Sequence, residues 1–253
     1  MKLASMNWMQ VEAYLRSDDR VVLPLGTTQQ HAYLSLATDA FLAVRLADDA
    51  AQPLGVPVCP VLSYGLSPAF MGYPGTITLR PKTYALVIAE LLDSLLESGF
   101  RRVMIVNGHG GNSLAAEVTA AWTSGRPGTE VIFHDWWKAP RTAAKIHRID
   151  PVSAHGSWVE SFPWTRLADA HPPEEQKPLS TLDLSAEISP GRVRRMLGDG
   201  SMGGYYERDD PEMMDLWLVA VQETRALLEG GWAAVPADLS GAFGGVGAGG
   251  PGA

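Results

Sequence analysis

The stretch that decides the fold is Arg101 to Trp122, "RRVMIVNGHGGNSLAAEVTAAW". A short apolar run, Val103 to Val106, leads into a glycine-rich turn, and an alanine-rich segment follows it. A buried strand, a loop and the start of a helix account for that order. Upstream, "TYALVIAELLDSLLES" (Thr83 to Ser98) sets Ile88, Leu91, Leu92, Leu95 and Leu96 at helical spacing, and Gly99 supplies a stop. "VVLPLG" (Val21 to Gly26), "VPVCPVLSYG" (Val56 to Gly65) and "EVIFHDWW" (Glu130 to Trp137) read as strand material, prolines marking ends or irregular edges. Asp210 to Gly230 reads as a late helix. Apolar runs alternating with amphipathic ones are the pattern of parallel strands joined by helical crossovers, so the expected class is α/β.

The chain has 253 residues, 46% hydrophobic and 19% charged, enough to bury one sizeable core. One domain is expected over residues 1–238, followed by a Gly-rich tail, 239–253, too poor in apolar side chains to offset its chain entropy. Residues 169–204 have weak periodicity and read as loop with short helices. A net charge of −8 speaks against the concentrated positive footprint of a nucleic-acid binder, and no nucleic-acid partner is expected. Cys59, the single cysteine, excludes an intrachain disulfide and a thiolate zinc cluster, which fits a reducing cytoplasm. The N-terminal residues lack the apolar core of a signal peptide, and no run reaches the length of a membrane span; a soluble, cytoplasmic protein is expected.

Polar residues with chemistry gather at three places, each at the end of an expected strand, where open α/β sheets collect ligands. The first is "TTQQHAYLSLATD" (Thr27 to Asp39), with His31 and Asp39. The second is "NGHGGN" (Asn107 to Asn112), whose glycines give the backbone room around His109. It lacks the Lys-Ser/Thr ending of a P-loop and the spacing of a dinucleotide fingerprint. The third is "AHGSWVESFPW", with His155, Glu160, Trp158 and Trp164. Each alone reads more simply as surface, capping or core residues. Together they supply imidazoles, a carboxylate able to bridge and a second carboxylate, a set suited to two divalent ions sharing an Asp and a water.

With "GYPGTITLRP" (Gly72 to Pro81) added, these motifs in this order resemble the creatininase (creatinine amidohydrolase) family. The resemblance covers Val21 to Glu160 well and continues more weakly through the late helix. It implies a three-layer α/β/α sandwich with a mostly parallel central sheet. It also implies two divalent ions per subunit, zinc, manganese or iron, hydrolysis of a small-molecule amide, and a homo-oligomer, a hexamer being commonest. Carried over by motif, Gln29, His31, Asp39, His109 and Glu160 fall on metal-ligand positions, with Asp39 bridging. His155 falls where the family places a proton carrier. Gly110 and Gly111 would face the substrate carbonyl, and Tyr33, Phe70, Trp136, Trp137 and Trp158 would wall the pocket.

Two departures from the family pattern bear on chemistry. The first motif usually carries a glutamate where this chain has Gln29, which leaves one metal position a negative charge poorer. A binuclear site with a neutral ligand, a mononuclear site and altered chemistry all follow from that change. Ala69 and Phe70 also replace polar groups, and Tyr33 and Leu34 stand where a second His is usual. A more apolar pocket and a less polar or larger amide than creatinine, cyclic amides included, are expected. The alternatives are a peptidase resembling the mycofactocin-maturation enzyme, and a metal-impaired relative that only binds.

Overall fold

Alternation of side chains on three short strands builds both halves of the core. The computed structural model describes residues 1–184 and 188–233. Strands β1 (Arg20–Leu25), β2 (Arg102–Asn107) and β3 (Glu130–Asp135) form a parallel sheet in that order. Val22, Met104 and Val106 point to one face, while Val21, Leu23, Leu25, Val103 and Ile105 point to the other. Such near-continuous apolar strands belong to sheets covered on both faces.

The first face is covered by α2 (Thr38–Ala51), α5 (Pro140–Ile149) and α7 (Asp210–Gly230). The second is covered by α1 (Trp8–Leu15), α3 (Pro81–Glu97) and α4 (Leu114–Ser124). The result is the expected α/β/α sandwich. A short α6 (Pro190–Leu197) packs against the turn Pro68–Phe70 outside these layers. The late helix has the bounds read from the sequence, and α3 begins two residues earlier because Pro81, with its fixed φ, suits a first helical turn. Gly99 ends α3 at φ +107°, a conformation other residues rarely take.

One expected strand is not formed. Across 56–65 only isolated bridges occur, Val58 with Lys2 and Val22, and Leu62 with Leu25. Pro57 and Pro60 lack the N–H groups that a continuous ladder needs, so the segment lies beside β1 without a regular register. The Gly-rich tail falls outside the described residues. No helix among them is long and apolar enough to cross a membrane.

His134 on β3 is buried, its Nε2 lying 3.0 Å from Thr224 Oγ1 of α7. Burial pushes its pKa down to about 4, against the opposing charges of Glu223 and Asp135. The unfolded chain, with an ordinary histidine, binds the extra proton first as pH falls. Stability carried by the neutral form is therefore lost between about pH 6.5 and pH 4, by up to about 3 kcal/mol. In urea titrations at pH 7 and pH 4, His134→Gln is expected to lack that part of the wild-type loss. An equal loss in both proteins would refute the assignment.

Candidate functional site

Parallel register lines up Leu25, Asn107 and Asp135 at the carboxyl edge of the sheet, and the segments carrying the site leave from there. After β1 the chain turns through Gln29 and His31 before entering α2, whose first turn holds Asp39. A carboxylate there is favoured by the helix dipole. Ala32 takes a left-handed φ of +52°, and its N–H donates to Gln30 Oε1 at 3.0 Å, a local bond that offsets the cost. After β2, Asn107 braces the glycine-rich turn. Its side chain donates to His109 O and Asp135 Oδ1 and accepts from the His109 N–H.

The glycines in this turn serve close approach rather than positive φ. A Cβ on Gly108 would stand 2.2 Å from Asp39 O, and one on Gly111 would stand 2.2 Å from Leu66 O and 2.4 Å from His109 Nε2. A side chain at Gly108 would push the turn away from α2, and one at Gly111 would displace the Leu66 backbone or the His109 ring.

Asp39 is the centre of the cluster. Its Oδ1 is 2.8 Å from His31 Nε2, and its Oδ2 is 2.9 Å from His109 Nδ1. His31 Nδ1 lies 3.0 Å from Gln29 O, and His109 Nε2 lies 2.9 Å from Leu66 O. His155 Nε2 lies 2.9 Å from Gln30 O, which turns Nδ1 toward Glu160 Oε2 at 4.0 Å. Carbonyl oxygens only accept, so His31 and His109 each donate one N–H to the backbone and turn the other nitrogen to Asp39, while His155 Nε2 meets both the Gln30 carbonyl and, at 3.0 Å, the Gln30 side-chain amide nitrogen. This arrangement orients imidazoles for a cation, because a lone pair facing a carboxylate oxygen is repelled unless a proton or an ion stands between them.

At His31 the surrounding charges favour a proton in that place. Burial works against a charged His31, but Asp39 and Glu160 outweigh it and raise its pKa to about 9. Asp39 is held low by His31 and His109 despite burial. Glu160 is pushed up to about 7, chiefly by burial, although Gly156 N–H donates to its Oε2 at 2.7 Å. His155 is held well below its ordinary value by burial and by the neighbouring His31.

The donor set fits divalent ions on separate grounds as well. Gln29 Oε1 is buried without any hydrogen-bond partner, an arrangement costly for a polar atom unless something else satisfies it, and the buried Asp39 Oδ2 meets only His109 Nδ1, at 2.9 Å. Donor atoms of His31, His155 and Glu160 lie within 4.8 Å of one another. Gln29, Asp39, His109, His155 and Glu160 line a cavity of about 850 Å³. His31 lies behind it, wholly buried.

Of the residues expected to wall the pocket, Phe70, Gly110, Gly111, Trp136 and Trp137 do so. Phe70 stacks on the His155 ring, with centroids 4.6 Å apart. Trp158 and Tyr33 do not line it. Trp158 is wholly buried in the core, its Nε1 donating to Val152 O at 3.0 Å, and Tyr33 packs edge-on against Tyr206. Both were assigned by nearness in sequence to site residues, and local chain direction sends them elsewhere. Ser67, which the sequence reading missed, lines the cavity, its hydroxyl between Thr27 Oγ1 at 3.1 Å and His109 Nε2 at 3.4 Å. A lone serine after "YGL" carries no pattern that could have marked it.

The family model described as creatinine amidohydrolase matches residues 4–228. Among curated proteins, the chain is 28% identical over 108 residues to the 3-dehydro-scyllo-inosose hydrolase of Thermotoga maritima, covering 42% of this chain and 35% of that protein. It is 35% identical over 115 residues to the mycofactocin precursor peptide peptidase of Mycolicibacterium smegmatis (42% and 46%). It is 29% identical over 119 residues to the creatinine amidohydrolase of Pseudomonas putida (44% and 46%). The chain thus matches less than half the length of these curated relatives. Solved structures agree in fold over 90% of this chain. A mutant creatininase of Zn–Zn type has a TM-score of 0.72 at 22% identity, and a manganese creatininase 0.70 at 23%, each covered to 97%.

Proposed function

The chain belongs to the creatininase family, and from that premise we propose that it is a metal-dependent amidohydrolase cleaving a C–N amide bond of a small molecule. The observation that carries this reading is the Asp39 carboxylate set between His31 and His109, beside the unpartnered Gln29 Oε1. In this reading His31, Asp39 and Glu160 hold one ion. His109, Asp39 and Gln29 hold the other, with the zinc and manganese relatives suggesting the metals. Bound ions would lower the pKa of water and polarise the amide carbonyl.

The chain's own groups do the rest. His155 Nδ1, left free because Nε2 is engaged by the Gln30 carbonyl, takes a proton from the attacking water and returns it to the leaving nitrogen. Phe70 holds the imidazole plane by stacking on it. Asn107, tied to Asp135, fixes the loop that presents His109.

Metal binding tests the reading directly. Chelator-treated protein given Zn, Mn or Fe(II) is expected to bind ions and to melt at higher temperature, the stabilisation reaching about 2.7 kcal/mol when free ion is 100 times its Kd. No bound ion and no shift would sink the hydrolase reading and leave a binding protein without catalysis. Gln29→Glu, by restoring a negative charge, is expected to tighten the ion at His109 by about tenfold or more, read by isothermal titration. Unchanged stoichiometry and affinity would place the Gln29 oxygen outside that ion's shell.

A further inference from the structure

The wall of the cavity before Asp39 and Glu160 is mainly apolar and aromatic, with Phe70, Trp136, Trp137, Ile146 and Val159 prominent. No lysine or arginine lines it among the described residues. Helix α5 turns Ala143, Ile146 and His147 to the cavity, an i, i+3, i+4 stripe, while its Arg141, Lys145 and Arg148 do not line it. Three cations have other partners. Arg141 bonds Gln222, Lys138 bonds Asp135, and Arg194 of α6 bonds Gly72 O and sits over the Tyr73 ring.

Taking the amidohydrolase reading as its basis, we propose that the cavity selects an uncharged amide carrying a bulky aromatic group. It discriminates against amides that bear a carboxylate or phosphate away from the scissile bond. An anion placed there would leave water for a mainly apolar wall that offers no lysine or arginine, His147 being its one imidazole away from the Asp39 cluster. An aromatic group gains from the same wall, since three rings are present and burial of apolar surface is favourable. The carboxylates of Asp39 and Glu160, assigned to the ions, carry the wrong sign to hold a remote anion. A cavity of about 850 Å³ is large enough for an amide flanked by two rings.

Binding of a pair that cannot be hydrolysed separates this proposal from the reaction. N-phenyl-2-phenylethanesulfonamide and its para-carboxy derivative on the N-phenyl ring would be titrated calorimetrically into metal-loaded protein. The neutral compound is expected to bind about tenfold or more tightly than the acid. Ala143→Arg, which adds a cation to the wall, is expected to narrow or invert that ratio. Equal or tighter binding of the acid to the wild type, or binding of neither compound, would overturn the selectivity while leaving metal-dependent hydrolysis standing. Selective binding of the neutral compound by a protein that hydrolyses no amide would support the selectivity and sink the hydrolase reading alone.

Discussion

Asp39→Asn is expected to abolish ion binding at both positions, lowering affinity on the order of 100-fold or more. The substitution keeps shape and removes one charge. In the wild type each carboxylate oxygen meets a different imidazole, His31 Nε2 at 2.8 Å and His109 Nδ1 at 2.9 Å. An amide presents one oxygen and one NH2 group, so at least one of the two imidazoles loses its acceptor, and no negative charge remains between two cations. The metal-free protein should lose stability too, by about 3 kcal/mol, the lower end for breaking a buried charged pair. Metal analysis and urea unfolding in chelator report the two effects separately. Full metal content in the variant would refute Asp39 as the shared ligand.

His155→Ala is expected to reduce turnover by about 10²- to 10⁴-fold, the range for loss of a general acid or base, while metal content stays nearly intact. The separation follows from geometry. His155 Nε2 lies against Gln30 and Nδ1 stands 4.0 Å from Glu160 Oε2, whereas His31 and His109 lie in direct contact with Asp39. Partial recovery of rate on adding free imidazole would mark the missing proton carrier. Loss of an ion from the variant would instead make His155 a ligand beside His31 and Glu160, whose donor atoms are near enough to share one.

Local pattern made several elements legible before any coordinates. Strand β2 and its glycine turn were readable because a continuous apolar run, a break and a helix follow within 22 residues. Helix α7 was readable because its apolar spacing persists over 21 residues. Helices α1, α2 and α5 were not assigned. α2 buries mostly alanines against α7 and β1, and alanine declares a helix face weakly when read as hydrophobic periodicity. The segment 56–65 misled for the opposite reason: its apolar run is strand-like, but Pro57 and Pro60 remove donors that a continuous ladder needs.

The sequence by itself determined the sandwich class, the family and the chemistry-bearing side chains, because strand alternation and His-Gly motifs depend on residues a few positions apart. Only the tertiary structure decided which of those side chains meet. His31 and His109 come to the same carboxylate through the β1–β2 register, and Gln29 is left with a buried, unpartnered oxygen. It also decided the character of the cavity, where Trp158 turned inward to the core and the cations of α5 turned away. Contacts between residues 70 to 125 positions apart are fixed by packing of whole elements, and no local pattern encodes that packing.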